Sequence, residues 1–540
     1  MSDSGDAKNT TVTSGGGVLS ADTLREHEEE MKGLSTPVKN NAPSYGTLTR
    51  SPQQQQTSIP MQFKSTDTLD SVGSTVEMMR KTRQGTVLGT SINTLSSVMG
   101  AGVLALPFAM HHGSVITSIV LLLICATAAA KAVKALTYGC DMTEKYSYTE
   151  CFTFVMFPTT EEEKIQELET GVPVAMDDSR RKIMTLVFEL IAFLQSYGIL
   201  IVFTRIIADS VGPIVENVLH IENPIIVMFA SWVVPSIVFF ALSCAKSMEE
   251  LKWTSLLGFV TIAYIVVVVV FRFFTMNDIF SFPEHRGIRW FSVDFGAFSA
   301  ISTFALAYGY HFNAPYFYKE LIDRNPETMM QTIKISFPII TVSYLLTGLC
   351  GYLTFGAGVA TKTGGNVVDN YSNTDSLMNV GRLGLLLHFA SVYPVNSVLA
   401  RRSLHRFIAL IRYTFATVPE TTRLVNGQRV LPGDPSTTKM RAIIAEAFFI
   451  VSTSTLIAVM VPGIGVVMEL MGALFGIPST FIVPGIIGYY VFASQYSPWL
   501  QTCENPRLER AICIGMIGSG CIMSVCGLGS TFYTYFSAAK

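Results

Sequence analysis

Apolar residues run along this chain in blocks of about twenty, the length a helix needs to cross a bilayer. About eleven blocks are predicted, opening with 86–110, 114–138, 183–208, 223–244 and 252–274. They continue with 293–318, 332–356, 379–400, 440–461, 465–493 and 509–536. The run from Leu256 to Phe271 is the clearest, whereas glycines and polar residues interrupt the first, sixth and tenth. Ahead of them, residues 1–80 are rich in Ser, Thr, Gly, Gln and Pro and cannot bury a core. They are expected to form a disordered tail.

The interruptions carry the chemistry. A backbone that leaves the helix at membrane depth strands N–H and C=O groups, each at a cost of several kcal/mol in hydrocarbon. Such a break persists where it lines a cavity or binds something polar. The first block breaks within Ser97-Val98-Met99-Gly100-Ala101-Gly102, and the sixth within Phe304-Ala305-Leu306-Ala307-Tyr308-Gly309, followed by Pro315. The breaks lie five blocks apart, the placement expected for an inverted-repeat transporter. A half helix that begins at a break offers bare N–H groups and a partial positive charge; one that ends there offers carbonyls. Together they suit a zwitterion. Its carboxylate is expected to meet N–H groups from Met99 to Gly102. Its ammonium would meet carbonyls of Ser96, Ser97 and Val98 and of Phe304 to Ala307, with Tyr308 and Gln195 lining the side-chain pocket. Gly100 and Gly102 would let solute approach the backbone; the competing reading is that they serve close helix packing alone. Asn93, Glu189, His311, Asn313 and Ser391 are candidates for coupling or gating. A histidine bonded to a neighbouring carbonyl is the plainer reading of His311.

Composition agrees with a membrane protein: 49% of residues are hydrophobic and 14% charged, against about 25% charged in soluble domains. The mean hydropathy is +0.41. The net charge of −2 and the lack of a basic patch with interleaved aromatics argue against a nucleic-acid partner. Basic residues gather in alternate loops, at Lys145, Lys164, Arg180–Lys182, Lys246 and Lys252, and again at Arg401, Arg402, Arg406 and Arg412. The intervening loops hold Arg286, Arg289 and Lys362. This bias predicts a cytosolic N-terminus. The sequon Asn370-Tyr371-Ser372 then falls outside, as a glycosylation candidate. None of the nine cysteines falls in a predicted outer loop, so no structural disulfide is expected. Glu161-Glu162-Glu163-Lys164 reads as a solvated helix face, and Pro432-Gly433-Asp434-Pro435 as a turn after a basic helix.

With these residues on the page, the chain resembles the amino acid/auxin permease family over 86–536. The resemblance rests on Gly100–Pro107, Ser147-Tyr148-Thr149-Glu150, Leu251-Lys252-Trp253-Thr254-Ser255, Tyr308–Asn313 with Tyr318-Lys319-Glu320-Leu321, Gly351–Gly356, and Tyr393-Pro394 with Arg401. It is strongest to the vacuolar and sodium-coupled neutral branches. It implies an all-α integral membrane protein of five plus five inverted spans and an eleventh, a LeuT-like fold of the APC superfamily with broken helices 1 and 6. It also implies secondary active transport of amino acids, neutral ones slightly favoured, by alternating access and with a proton or sodium ion as driver. No cofactor, enzymatic chemistry or resident metal is expected. The sodium-coupled branch's asparagine is Ser96 here, and its span-eight threonine aligns with Val392 beside Ser391. The sodium site thereby loses expected ligands, although a hydroxyl or carbonyl could still serve. Substrate and bilayer are the expected partners, with a cytosolic partner for the tail as a further option; plasma membrane and vacuole or lysosome both fit. An amino-acid sensor signalling through the tail, and a carrier of cationic amino acids or polyamines on the same fold, stay open as rivals.

Overall fold

The computed structural model describes residues 85–158, 160, 179–244, 254–276, 287–361, 364–415, 423–425, 428–430, 440–493 and 505–538. The tail lies outside them, as do Glu161–Lys164, Lys246, Leu251–Trp253, Arg286, Lys362, Pro432–Pro435 and Cys503.

The first apolar block forms two helices, α1 (Val87–Val98) and α2 (Ala101–Gly113), bent by 53° at the break. Then come α3 (Val115–Thr143), the short α4 (Tyr148–Met156), α5 (Ser179–Asn217), α6 (Pro224–Ser243) and α7 (Thr254–Thr275). The sixth block is also split, into α8 (Gly296–Ala307) and α9 (Ala314–Glu320). The rest are α10 (Pro326–Phe355), α11 (Ser376–Phe415), α12 (Met440–Met460), α13 (Ile464–Ala493) and α14 (Pro506–Ala538). Among the described residues nine helices are long and apolar enough to cross a membrane, and the bent pair adds a tenth. At 12 residues α8 rises only about 18 Å, so the sixth crossing needs α8 and α9 together.

Several helices outrun their apolar blocks. α11 carries Arg401, Arg402 and Arg406 within its 40 residues, because helical hydrogen bonding continues where the bilayer ends. Beyond it stands a departure from an all-helical chain, a two-stranded antiparallel hairpin of β1 (Arg423–Val425) and β2 (Gln428–Val430).

The caps follow local chemistry. Thr86 accepts the Gly89 N–H at the start of α1, and Asn325 accepts that of Glu327 at the start of α10, where Pro326 needs no donor of its own. α2 ends under Arg289, whose Nη2 donates to the His111 and His112 carbonyls at 2.5 and 2.9 Å. The same strand of backbone accepts Val115 N–H at Arg289 and Ile116 N–H at Trp290, both at 3.0 Å. Ser292 N–H donates to the Ser114 hydroxyl. Residues 289–292 thus close the turn between α2 and α3. Asp294 then accepts the Gly296 N–H, opening α8.

α13 lies against α8 through glycines. A Cβ on Gly476 would stand 2.8 Å from the Leu306 nitrogen, and one on Gly472 would meet the Ser302 carbonyl. α13 also widens into π-helical turns at Gly472–Gly476 and Pro478–Ile482, a distortion often found beside functional sites.

Candidate functional site

The two breaks meet. Gly102, in the first turn of α2, abuts Ala307, the last residue of α8; a Cβ on Gly102 would lie 2.9 Å from the Ala307 Cα. Beside this contact is a cavity of about 90 Å³, lined by Ser97, Val98, Gly100, Ala101 and Gly102 from the first break and Leu306, Ala307 and Gly309 from the second. Ile199, Val202 and Phe203 of α5 and Met468 and Met471 of α13 complete it. Apart from the Ser97 hydroxyl the side chains form an apolar wall, and the helix ends bring the polar groups of the backbone.

The donors are fewer than the sequence reading expected. Met99 N–H is taken by the Leu95 carbonyl at 2.8 Å, and Gly100 N–H by Val98 at 3.0 Å. Ala101 and Gly102 are the first two residues of α2, and by position their N–H groups fall outside its helical hydrogen-bond ladder. Gly100 adopts φ −132°, ψ −137°, a backbone setting with which a side chain would conflict little in space, since nothing lies within 4 Å of a Cβ there.

On the acceptor side a residue from another helix intervenes. The Tyr344 hydroxyl of α10 lies 2.8 Å from the Val98 carbonyl and 2.8 Å from the Ala307 carbonyl. One phenolic proton is shared between the ends of α1 and α8. Tyr344 is fully buried, and the sequence reading did not single it out. Its signal was a lone hydroxyl-bearing aromatic in mid-span, indistinguishable from packing without the fold. Met468, Met471 and the α5 residues Ile199, Val202 and Phe203 were likewise missed, as ordinary apolar positions.

Other expected residues fall elsewhere. The Phe304 carbonyl receives the Tyr308 N–H at 3.1 Å, and its ring is buried away from the cavity lining. Tyr308 turns toward α10, with its hydroxyl 2.8 Å from Thr341, so it does not line the pocket. Ser96 is buried a residue ahead of the lining. His311 is fully buried between Ala129 of α3 and Thr480 of α13, at 3.4 and 3.5 Å. Ser391 donates back to Leu387 of its own helix, and Asn93 is half-buried on α1. Asn370 ends a short 3₁₀ turn and donates its side-chain amide to the Asn366 carbonyl at 3.3 Å.

Gln195, Asn313 and Glu189 belong to a second cavity of about 110 Å³. Ile199 and Gly309 line both, so the two adjoin. Arg406 of α11 reaches the Glu189 carboxylate of α5 at 3.4 Å across this second space. Tyr148, Tyr310 and Asn396 also face it.

A family described as transmembrane amino acid transporter protein matches residues 83–529 of this chain. Vacuolar amino acid transporter 5 of Schizosaccharomyces pombe is 21% identical over 438 residues, spanning 80% of this chain and 91% of its own. Sodium-coupled neutral amino acid transporter 7 of Xenopus laevis is 22% identical, spanning 77% of this chain and 83% of its own. Among solved structures, MhsT in complex with L-phenylalanine superposes with a TM-score of 0.47 at 10% identity, over 83% of this chain and 99% of that one.

Proposed function

The chain belongs to the family of transmembrane amino acid transporter proteins, and from that premise we propose that the cavity between its two breaks holds a neutral amino acid during transport. It is a transporter and not an enzyme. One observation carries the substrate reading: every residue lining that cavity is uncharged, and the helix ends that meet there bring backbone amides and carbonyls. The substrate carboxylate goes to the N–H groups of Ala101 and Gly102, where the α2 dipole favours an anion. The ammonium goes to the carbonyls of Val98 and Ala307, in place of the Tyr344 proton. The side chain lies among Ile199, Val202, Phe203, Met468 and Met471. A charged side chain there would lose its hydration with nothing opposite, at a cost of several kcal/mol.

The adjoining cavity, crossed by Glu189 and Arg406, serves as the way out on one side. The loop charge bias favours the cytosol for that side and for the N-terminus. The name of the Schizosaccharomyces pombe relative, a vacuolar transporter, favours a vacuolar membrane for this chain as well.

The test is uptake of radiolabelled amino acids into proteoliposomes under imposed sodium or pH gradients. Alanine, leucine and glutamine are expected to compete for one route, and arginine and glutamate to compete weakly. Accumulation or exchange of no amino acid would overturn the reading.

A further inference from the structure

A carboxyl group sits behind the cavity wall with no role in the scheme above. Glu469 lies on α13 between the two wall residues Met468 and Met471 and is 1% exposed. Its Oε1 has no hydrogen-bond partner. The His112 Nε2, in the last turn of α2, is 3.8 Å from that oxygen, too far for a hydrogen bond and near enough for an ion pair. The hydroxyls of Ser299 on α8 and Thr531 on α14 border the carboxyl, and Ser299 is itself paired with Ser530 at 2.9 Å.

An ionised carboxylate this deep, without a full set of donors, is costly to strip of water. A proton relieves it, held either on Glu469 or on His112. The histidine side chain is 12% exposed and the glutamate side chain 2%, so His112 is the member that water reaches first. The other charged groups nearby are already engaged. Arg289 caps α2 through the His111 and His112 carbonyls and pairs with Asp294 at 2.6 Å. Arg205 of α5 pairs with Asp209 at 3.0 Å and donates to the Val461 carbonyl ahead of α13. His111 stands edge-on to His112. α8 and α14 contribute hydroxyls.

We propose that Glu469 binds the proton whose movement drives transport, received through His112. The proposal rests on the transport reading above and names its driving ion. The step is a proton transfer from the His112 imidazolium Nε2 to a Glu469 carboxylate oxygen, with no other bond made or broken. The pair joins α2, which carries the first break, to α13, which walls the cavity. Parting α2 from α13 opens the pair to water; bringing them together buries it and requires the proton. Closure over the substrate is thereby tied to one proton.

The experiment uses the full chain in proteoliposomes with radiolabelled alanine and leucine. A gradient of one pH unit imposed on the wild type is expected to give up to ~10-fold accumulation, the equilibrium value for one proton per substrate. Glu469→Gln, which keeps the shape and cannot ionise, should lose that accumulation. It should still exchange external label for internal amino acid, at a rate flat with pH. Glu469→Asp should restore part of the gradient-driven accumulation. Gradient-driven accumulation by Glu469→Gln equal to wild type overturns the proposal. So does loss of exchange in that variant, which would make Glu469 a structural residue. A wild type that exchanges amino acids yet ignores pH gradients sinks the proton assignment and leaves the transport reading standing. A wild type that exchanges nothing sinks both.

Discussion

Gly102 and Ala307 touch across the two breaks, with only 2.9 Å between the Ala307 Cα and the place a Gly102 side chain would begin. Even one methyl group must push α2 from α8, and overpacking of this kind costs roughly 1–3 kcal/mol. Gly102→Ala should therefore cut uptake at least several-fold, and Gly102→Leu should abolish it while surface or organelle delivery persists. Uptake assays alongside membrane quantification check this; normal uptake by Gly102→Leu would remove the cavity from the mechanism.

Tyr344→Phe takes the shared proton from the Val98 and Ala307 carbonyls. A buried acceptor left without a donor costs about 1–3 kcal/mol. The variant should melt at a lower temperature than wild type without substrate. Saturating amino acid should then stabilise it more than it stabilises wild type, because the ammonium fills a vacancy instead of displacing a phenol. Thermal shift with and without substrate reads both effects. Equal shifts in the two proteins would separate Tyr344 from ammonium binding.

Arg406 and Glu189 should behave unequally. The Arg406 side chain is 42% exposed and that of Glu189 5%. Removing the arginine strands a buried carboxylate, while removing both leaves nothing stranded. Arg406→Ala should destabilise by an amount between the roughly 1 kcal/mol of an exposed pair and the roughly 4 kcal/mol of a buried one. Adding Glu189→Gln should recover most of it. A double-mutant cycle in thermal unfolding measures the difference.

Asp294 gives a pH signature outside the spans. Burial alone would raise its carboxyl, but the Ser292 hydroxyl, the Arg289 guanidinium and the Gly296 N–H outweigh that and hold it below the ordinary carboxylate value. The folded state therefore binds this proton less readily than the unfolded chain. Its contribution is complete above the unfolded pKa and disappears as pH falls through the lower folded value. Asp294→Asn should lower thermal stability at neutral pH, and the gap from wild type should close only in strong acid. A constant gap down through that range would discount the carboxylate.

The breaks were legible because glycine and proline mark them in the chain itself: Gly100 and Gly309 lie two residues past the ends of α1 and α8, and Gly102 and Pro315 are the second residues of α2 and α9. Span positions were legible from apolar run length, and ends drifted where charged turns prolonged a helix, as in α11. What stayed hidden depends on partners distant in sequence. Tyr308 was expected in the pocket, yet its direction is set by Thr341, 33 residues on. Tyr344 acquires its role only from two carbonyls, 246 and 37 residues away. Glu469 had a signal, an acid within the run Ile464–Leu474, and it passed unmarked because that block is glycine-rich and reads weakly as a span.

Residues 289–294 tie the end of α2, the start of α3 and the start of α8 to one short piece of backbone. Those three helix ends are consequently harnessed to travel in step. Any rotation that uncovers the solute on the far face must flex below the harness, at Met99–Gly100 and Tyr308–Asn313. Two pivots of a common hinge would thus coincide with the place proposed for cargo, and loading the one would stiffen the other.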